Sequence, residues 1–556
     1  MPESLPKSSL VASKPWPDPN QKIVAFFSLE YAVENDFPIY AGGLGVLAGD
    51  IVLDASHLGT NLAAFGLFYC HGFHAHIDAS TSCLSPATFG FQPLSLDGRR
   101  PAKFSCPLDD HEVWFQVWFK DYPSTRLFLL DTNLSDNSEV DQKITEDLYD
   151  SDPQTMLKQQ VLLGFGSIKI LRSQNLSPAV YHLNEGHTAF TILALAQDYL
   201  TKNPTSSLTT ALESVSSSIV ATKHTILTGG GLHLEKDKLQ SVLGSFLSST
   251  HISLDDLFAQ GTHPSHPTTF STTNFLLRFS TRTSGVSLAH ALSEKKIHPH
   301  SELIPITNGV NQSRWQAVPH MSALNDSDLW AAHKKNKQLM IDYLQGQSGQ
   351  SLDPTILTVV WARRFTSYKR PDLLFNNLDE LTNMTKLLPA VQFVIAGQTN
   401  PADAEGNELA ERIKRNLEEK QLQPRILFLT TYNLTLAQKL VSGADIWLNT
   451  PIPGLEASGT SGMKSALNGA LQFTTNDGWA QEVNWDSFGW ILPEENIGTR
   501  LYAILEQQII PIYYKINQDG LPEEWLTKMR QTISLVEQNF TTARLLENYR
   551  KKLYLI

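Results

Sequence analysis

The chain has 556 residues, 41% of them hydrophobic and 18% charged, with a formal net charge of −12. At about 150 residues per domain this length points to three or four structural units, with cores large enough to need no covalent staples. The composition excludes a disordered or fibrous chain, and the acidic balance argues against non-specific binding to nucleic acid or to an anionic membrane.

Residues 1–21 are rich in Pro and Ser and read as a flexible tail. They contain no apolar core of a signal peptide, and no run reaches the ~18 apolar residues of a membrane span, so a cytoplasmic location is expected. Residues 23–29 read as a buried strand. The glycine turn Ala41-Gly-Gly-Leu-Gly45 follows, then helical spacing over 46–58. Residues 62–130 mix short alternating apolar runs with Gly and Pro, which predicts strands and loops. Cys70, Cys83 and Cys106 are odd in number and lack CxxC spacing. This argues against a disulfide framework and a zinc site, and for a reducing compartment; no metal is expected. Residues 152–171 predict a long amphipathic helix. Residues 180–183 read as a strand entering the loop Asn184-Glu-Gly-His187, with a helix from Thr188. Residues 218–225 read as a further strand, His263, His266, His298 and His300 as loop residues, and the region of His290 as a helix.

Gly346-Gln-Ser-Gly-Gln-Ser351 is the strongest linker signal. Beyond it, apolar runs at 356–361, 391–396, 426–429 and 446–448 alternate with polar helical stretches, the rhythm of βαβ units on a parallel sheet. The expected division is a tail (1–21), an N-terminal domain (22–345), a C-terminal domain (346–500) and a helical segment (501–556) able to pack back on the first domain.

Four segments carry chemistry. The strand at 356–361 runs into Arg363, Arg364, Lys369 and Arg370. Cations at the carboxyl end of a parallel strand mark an anion site; the bland alternative is a solvated basic turn. In Glu456-Ala-Ser-Gly-Thr-Ser-Gly-Met-Lys464, small residues can turn several backbone N–H groups onto one anion at the start of a helix. The GxxxxGK[ST] spacing is not met, so a nucleotide γ-phosphate is not indicated. Lys464 is then either a counter-ion or a covalent anchor for a phosphorylated aldehyde cofactor. The bland reading is an ordinary helix-entry loop. Gly42-Gly-Leu-Gly45 is either a tight, close-packed turn or a place of close ligand approach. His182-Leu-Asn-Glu-Gly-His187 lacks HExxH spacing, so a zinc protease is not indicated, but with His224 it crowds polar groups at a strand end.

Taken together and in this order, these segments resemble the α-glucan phosphorylases (glycogen, starch and maltodextrin phosphorylases), in their short bacterial and archaeal branch. The resemblance runs from about residue 23 to about residue 490. It is carried by Phe27-Ser-Leu-Glu30, Pro38-Ile-Tyr-Ala-Gly-Gly-Leu-Gly-Val-Leu-Ala-Gly-Asp50, the loop at 183–187, Thr307-Asn-Gly-Val310 with Trp315, Ala362-Arg-Arg-Phe-Thr-Ser-Tyr-Lys-Arg370, Tyr432-Asn433, and the signature Glu456 to Lys464. It implies an α/β chain of GT-B architecture, two Rossmann-like domains facing an active-site cleft. It implies reversible phosphorolysis of α-1,4-glucan to α-glucose 1-phosphate with retention, using pyridoxal 5′-phosphate whose 5′-phosphate is acid and base. Residue by residue, Lys464 would bind that cofactor covalently, Thr460, Ser461 and Arg363 would hold its phosphate, and Tyr432 and Trp315 would wall it. Arg364 and Lys369 would bind substrate phosphate with a backbone N–H at Gly43, in the turn Gly42-Gly43-Leu44. Asn308, Glu456, Ser458 and Gly459 would bind hydroxyls of the reacting glucose. His224 would sit beside that sugar, where charge develops at the anomeric carbon. The implied partners are glucan and phosphate; self-association is left open.

Two departures stand out. The stretch after His224, Thr-Ile-Leu-Thr-Gly-Gly-Gly-Leu-His233, lacks the proline usual in the short branch, and Gln398 stands where the family has lysine. The alternative reading is a nucleotide-sugar glycosyltransferase of glycogen-synthase type, which shares the GT-B fold but needs no lysine-bound cofactor. Only about forty residues precede the glycine turn, part of them the strand at 23–29 and the rest the Pro-rich, polar tail, so control by AMP or by phosphorylation is not expected.

Overall fold

The computed structural model describes residues 16–73, 83–226, 230–263, 266–297, 302–386, 391–399, 403–422 and 425–556. Most of the expected tail, together with His298 and His300, lies outside the described residues. Trp16 to Gln21 lie against the body: the Trp16 ring packs on Phe128, and Asn61 binds Asp18 through its side chain.

Two sheets organise the chain, the first mixed with a parallel centre and the second all parallel. The strands of the first half, in chain order, are β1 (Val24–Phe27), β2 (Leu62–Leu67), β3 (Gln92–Pro93), β4 (Lys103–Leu108), β5 (His111–Asp121), β6 (Thr125–Asp131), β7 (Val180–Asn184), β8 (Ile219–Thr222), β9 (His233–Leu234), β10 (Phe270–Ser271), β11 (Arg282–Gly285) and β12 (Leu303–Pro305). β9 and β10 form a separate small pair; the others make one sheet in the order β12-β11-β8-β7-β1-β2-β6-β5-β3, with β4 beside β5. Neighbours from β1 to β2, β6, β7 and β8, and from β8 to β11 and β12, are parallel. β5 runs antiparallel to β6, β3 and β4. β1 is central and buried along its whole length, as a strand covered on both faces requires.

The second sheet is all parallel: β13 (Leu357–Ala362), β14 (Val391–Ala396), β15 (Ile426–Leu429), β16 (Ile446–Asn449), β17 (Leu471–Thr474) and β18 (Gly489–Ile491), in the order β15-β14-β13-β16-β17-β18. The apolar rhythm predicts the first four. β17 and β18 are not among the expected strands: β17 is as long as β15 and β16 but its run Leu-Gln-Phe-Thr is half polar, and β18 has three residues. Along β13, Leu357, Val359 and Trp361 enter one core while Val360 and Ala362 enter another, as the two-residue period of a strand dictates. The second of these cores also takes Ala32, Tyr40 and Val46 from beside the first sheet, so the two halves meet along a buried apolar seam.

The helix Asp326–Ser348 runs through the first residues of the expected linker at 346–351 and ends on Gly349, at φ +73. Met340, Ile341 and Leu344 of that helix pack into the second half's core. Gly349 caps that helix.

Leu501 onward is helical, as the pattern predicts. Trp525, Leu526, Met529 and Ile533 of the helix Glu523–Asn539 pack on the second sheet. The chain then crosses at Phe540–Thr542, bracketing Val310 by two backbone hydrogen bonds of 3.0 Å. Leu545, Tyr549, Leu553 and Tyr554 finish inside the core of the first half.

One cysteine expectation is corrected: Cys70 and Cys83 form a disulfide, and Cys106 is a buried free thiol. The 13-residue separation carries no sequence signal. The partners meet because the chain after β2 returns on itself, with Leu84 N–H bonded to Cys70 O at 2.8 Å. Among the described residues no helix is long and apolar enough to cross a membrane.

Candidate active site

The carboxyl end of β13 delivers Arg363 and Arg364, and the short turn Ser367–Lys369 brings Lys369 round beside them. Glu456 lies between the cations. Its carboxylate accepts from Arg363 Nη1 at 2.8 Å and from Lys369 Nζ at 2.9 Å. Burial alone would push this carboxyl up; the Arg363 and Lys369 charges outweigh it and hold it at about 2. Arg363 Nη2 also approaches Ser461 Oγ at 3.4 Å, and its Nε has no hydrogen-bond partner among the described residues. Gly459 is packed so closely that a Cβ would lie 2.7 Å from Glu456 Oε1. Arg364 is exposed. Arg370 leaves the cluster: it braces the carbonyls of Thr450 and Pro451 and pairs with Glu494, so for this residue the bland reading holds.

Ser461 starts a helix of six residues, Ser461–Ala466, and Thr460 is its N-cap without a side-chain cap bond. So short a helix accumulates little dipole, and the local field comes chiefly from the cations. Lys464 lies four residues in, buried, with Nζ 4.2 Å from the centroid of the Trp315 ring. Burial lowers its amine to about 8, against the pull of Asp50 and with a small push from Arg314. Asp50 fixes this wall: it accepts from Trp315 Nε1 at 2.8 Å, Arg314 Nη1 at 3.2 Å and Asn311 N–H at 3.2 Å. Tyr432 is half-buried; burial raises its hydroxyl, and Arg363 opposes this electrostatically.

The helix α1 (Gly43–His57) begins at the glycine turn. A Cβ on Gly45 would lie 2.7 Å from Glu30 Oε2, and one on Gly49 2.1 Å from Ala32 O, so these two glycines are required by packing. At Gly42 and Gly43 a Cβ would meet nothing within 4 Å. The close-packed reading therefore covers Gly45 and fails for Gly42 and Gly43, which border open space. Leu44 beside them is half-buried.

His224 follows the carboxyl end of β8. Its Nε2 is 2.6 Å from Asn184 Oδ1, and its backbone N–H donates to Glu185 Oε2 at 2.8 Å. Asn184 donates its amide to Ser28 Oγ, so its oxygen accepts from His224 and the ring proton sits on Nε2. Nδ1 remains an acceptor. Burial lowers the ring to about 3, so it is neutral at ordinary pH. Glu185 holds this arrangement from φ +77, a left-handed conformation costly for a glutamate and typical of functional sites. The two halves touch nearby: Asn308 Nδ2 reaches Ser458 O at 3.5 Å, Ser287 Oγ donates to Ala457 O, and Glu482 accepts from Thr307 Oγ1 and Leu288 N–H. Asn308 Oδ1 and Ser458 Oγ are buried without hydrogen-bond partners among the described residues.

Contacts thus tie together Arg363, Lys369, Glu456, Gly459 and Ser461, join Lys464 to Trp315, and bring Asn308 to Ser458. Among the described residues no hydrogen bond or ion pair joins His224 or Leu44 to that cluster, and Thr460 meets it through its backbone carbonyl, which accepts from Lys464 N–H at 3.1 Å. Glu30, Asp50, Asn184 and Glu185 hold the site yet have no role in the sequence reading. The first three motifs contain them, but a buried side chain that accepts hydrogen bonds leaves no sequence pattern of its own. Gln398 is half-buried and hydrogen-bonds through its backbone to Phe365.

Comparison with known families matches residues 319–488 to the one described as carbohydrate phosphorylase. Glycogen phosphorylase of Aquifex aeolicus is 30% identical over 623 aligned residues, covering 99% of this chain and 89% of that protein. Maltodextrin phosphorylase of Thermococcus litoralis is 28% identical, covering 97% of this chain and 71% of that protein. Glycogen phosphorylase of Mycobacterium tuberculosis is 29% identical, covering 96% of this chain and 70% of that protein.

Proposed function

Because the chain belongs to the carbohydrate phosphorylase family, we propose that it is an α-glucan phosphorylase. It converts α-1,4-glucan and phosphate reversibly to a shortened glucan and α-glucose 1-phosphate, with retention. The observation that carries this reading is the buried Lys464 amine on the Trp315 face, one helical turn from Ser461 and the Arg363–Glu456–Lys369 cluster. Two sheets meeting along one seam support a GT-B arrangement with the cleft between the halves.

The residues fit pyridoxal phosphate. A lysine near 8 has a substantial unprotonated fraction, as covalent capture of an aldehyde requires. Arg363 Nε and Ser458 Oγ are buried polar atoms without partners among the described residues, and Arg363 reaches the serine that begins the helix. Lys464 would hold the cofactor, Thr460, Ser461 and Arg363 its phosphate, and Trp315 and Tyr432 its ring. When bound, the group supplies a phosphate able to give and take a proton.

The chain's own groups define the rest. Glu456 near 2 is an anion with no proton to give, and His224 near 3 is a neutral imidazole whose Nε2 proton is bonded to Asn184 Oδ1 and too weakly acidic for the leaving oxygen. A two-carboxylate glycosidase mechanism is therefore not available to this pair. Arg364, Lys369 and the Gly43 N–H bind the substrate phosphate and screen it from a second phosphate. Asn308, Glu456, Ser458 and Gly459 take sugar hydroxyls, and His224 accepts one at Nδ1. The test is glucose 1-phosphate release from maltodextrins of graded length, with an absorbance scan for bound pyridoxal. Release that depends on added phosphate, with a pyridoxal band, is expected; hydrolysis to free glucose, or activity with a nucleotide sugar and no band, would overturn the reading.

A further inference from the structure

The residue that shapes the glycine turn is Glu30, at the end of β1. Its carboxylate is 2% exposed, yet it pairs with no cation at hydrogen-bond distance among the described residues. Oε2 instead accepts from Ala41 N–H at 2.6 Å and Gly42 N–H at 3.2 Å, and Oε1 accepts from the Tyr149 hydroxyl at 2.7 Å. Gly45 is glycine because a Cβ there would strike the same Oε2 at 2.7 Å. The turn and the first helical turn are thus moulded onto one buried carboxylate. Tyr149, at φ +59, is set by a loop that hydrogen-bonds to the chain around Cys70 and His71. Arg364, from the second sheet, acts on both Glu30 and Tyr149 electrostatically.

A turn with two adjacent glycines costs much conformational entropy to hold in one shape. Glu30 takes the Ala41 and Gly42 N–H groups, and the next ones open α1, where they have no intrahelical acceptor. Those are the groups at Gly43, where a Cβ would meet only open space.

We propose that Glu30 is a positioning residue that holds the Gly42–Gly43 turn in its ligand-receiving shape and thereby sets affinity for phosphate rather than for glucan. The proposal rests on the reading of Gly43 and Arg364 as phosphate ligands. Its action is geometric: the carboxylate is an acceptor of backbone N–H groups, and its charge is secondary. Glutamine keeps an acceptor oxygen for Ala41 and Gly42 and offers its amide to the Tyr149 oxygen. Alanine offers neither.

The experiment compares Glu30→Ala, Glu30→Gln, Tyr149→Phe and Arg364→Ala in the full-length protein loaded with cofactor. It measures KM for phosphate and for maltodextrin separately, kcat, and Tm. Loss of two or three hydrogen bonds to a charged group predicts that Glu30→Ala raises the phosphate KM by about tenfold or more, with the glucan KM within about twofold. Glu30→Gln returns the phosphate KM to within about threefold of the parent, and Tyr149→Phe shifts it in the same direction as alanine but less. A phosphate KM unchanged in Glu30→Ala, a glutamine variant as impaired as alanine, or equal rises in both KM values would overturn the proposal. Should Glu30→Ala fail to fold, the glutamine and Tyr149→Phe variants carry the same comparison. Arg364→Ala separates the two levels: if it leaves the phosphate KM unchanged, the phosphate site itself is misassigned; if it raises that KM while the Glu30 variants do not, only the role of Glu30 fails.

Discussion

The site depends on a few buried charges whose state is set by their neighbours. Lys464→Ala should abolish covalent cofactor binding while leaving the fold intact, because Lys464 Nζ makes a ring contact but, among the described residues, no ion pair. Borohydride reduction and peptide mapping of the parent should label Lys464; label on another lysine would reject it. Arg364 and Lys369 are expected to differ. Each removes a charge-assisted contact to phosphate worth about 1.5–3 kcal/mol, or roughly 10- to 150-fold in the phosphate KM. Lys369→Ala also leaves the buried Glu456 with Arg363 alone, so it should lower Tm by the equivalent of about 1–3 kcal/mol, and exposed Arg364→Ala should not. The pH dependence has a definite sign. Glu456 sits at about 2 in the folded chain against an ordinary value of 4.5. Its stabilising contribution is therefore complete above about pH 5, fades as pH falls through 4 toward 2, and is absent in Glu456→Gln. Tm measured against pH for both proteins checks this: the parent curve should fall more steeply over pH 5 to 3 than the variant's.

At the scale of elements, the glycine turn separates packing from function. Gly49→Ala places a Cβ 2.1 Å from the Ala32 carbonyl oxygen, a backbone atom that cannot move aside by changing rotamer. It should cost about 1–3 kcal/mol or more and lower Tm by several degrees. Gly43→Ala meets nothing within 4 Å and occupies the first position of α1, where alanine is favourable. Its Tm should match or exceed the parent's while phosphate-dependent activity drops, because a methyl group then occupies the open space where the ligand approaches. Differential scanning calorimetry with a phosphate titration measures both. Equal losses of stability would show that Gly43, like Gly49, serves only packing.

For the whole molecule, the C-terminal segment joins the halves. After crossing at Val310 the chain buries Tyr549, Leu553 and Tyr554 in the first core, and Tyr554 OH lies 2.8 Å from His182 Nδ1 under β7. Tyr549 OH is 3.3 Å from Thr222 Oγ1, two residues before His224. Each of these side chains contributes about 1.5–3 kcal/mol by burial. Deleting residues 549–556 should therefore lower Tm by many degrees and lower activity before global unfolding, although the deleted residues lie in the chain far from every predicted ligand. Thermal unfolding followed alongside activity tests this, and a truncated chain of unchanged Tm would refute it.

What the sequence determined is whatever a local pattern can carry. Residues 391–396 and 426–429 become strands because short runs of apolar and β-branched residues bury on both faces of a parallel sheet. Asp152 caps the predicted helix, accepting from Gln154 and Thr155 N–H, because its short carboxylate satisfies orphan donors. The residue types of the basic strand end and of the 456–464 loop were equally legible, since their order along the chain needs no third dimension. The tertiary structure decided the pairings. Only folding shows that Arg370 braces carbonyls while its neighbour Arg363 meets Glu456, 93 residues on, and that Cys70 finds Cys83. The glycines at 346 and 349 read as loop for the same reason: only the fold shows that the helix Asp326–Ser348 runs through the first and ends on the second. The supporting carboxylates Glu30, Asp50 and Glu185 were invisible in role because each acts by accepting hydrogen bonds, many of them from backbone N–H groups, and those donors exist at every position and acquire a partner only when the chain is folded.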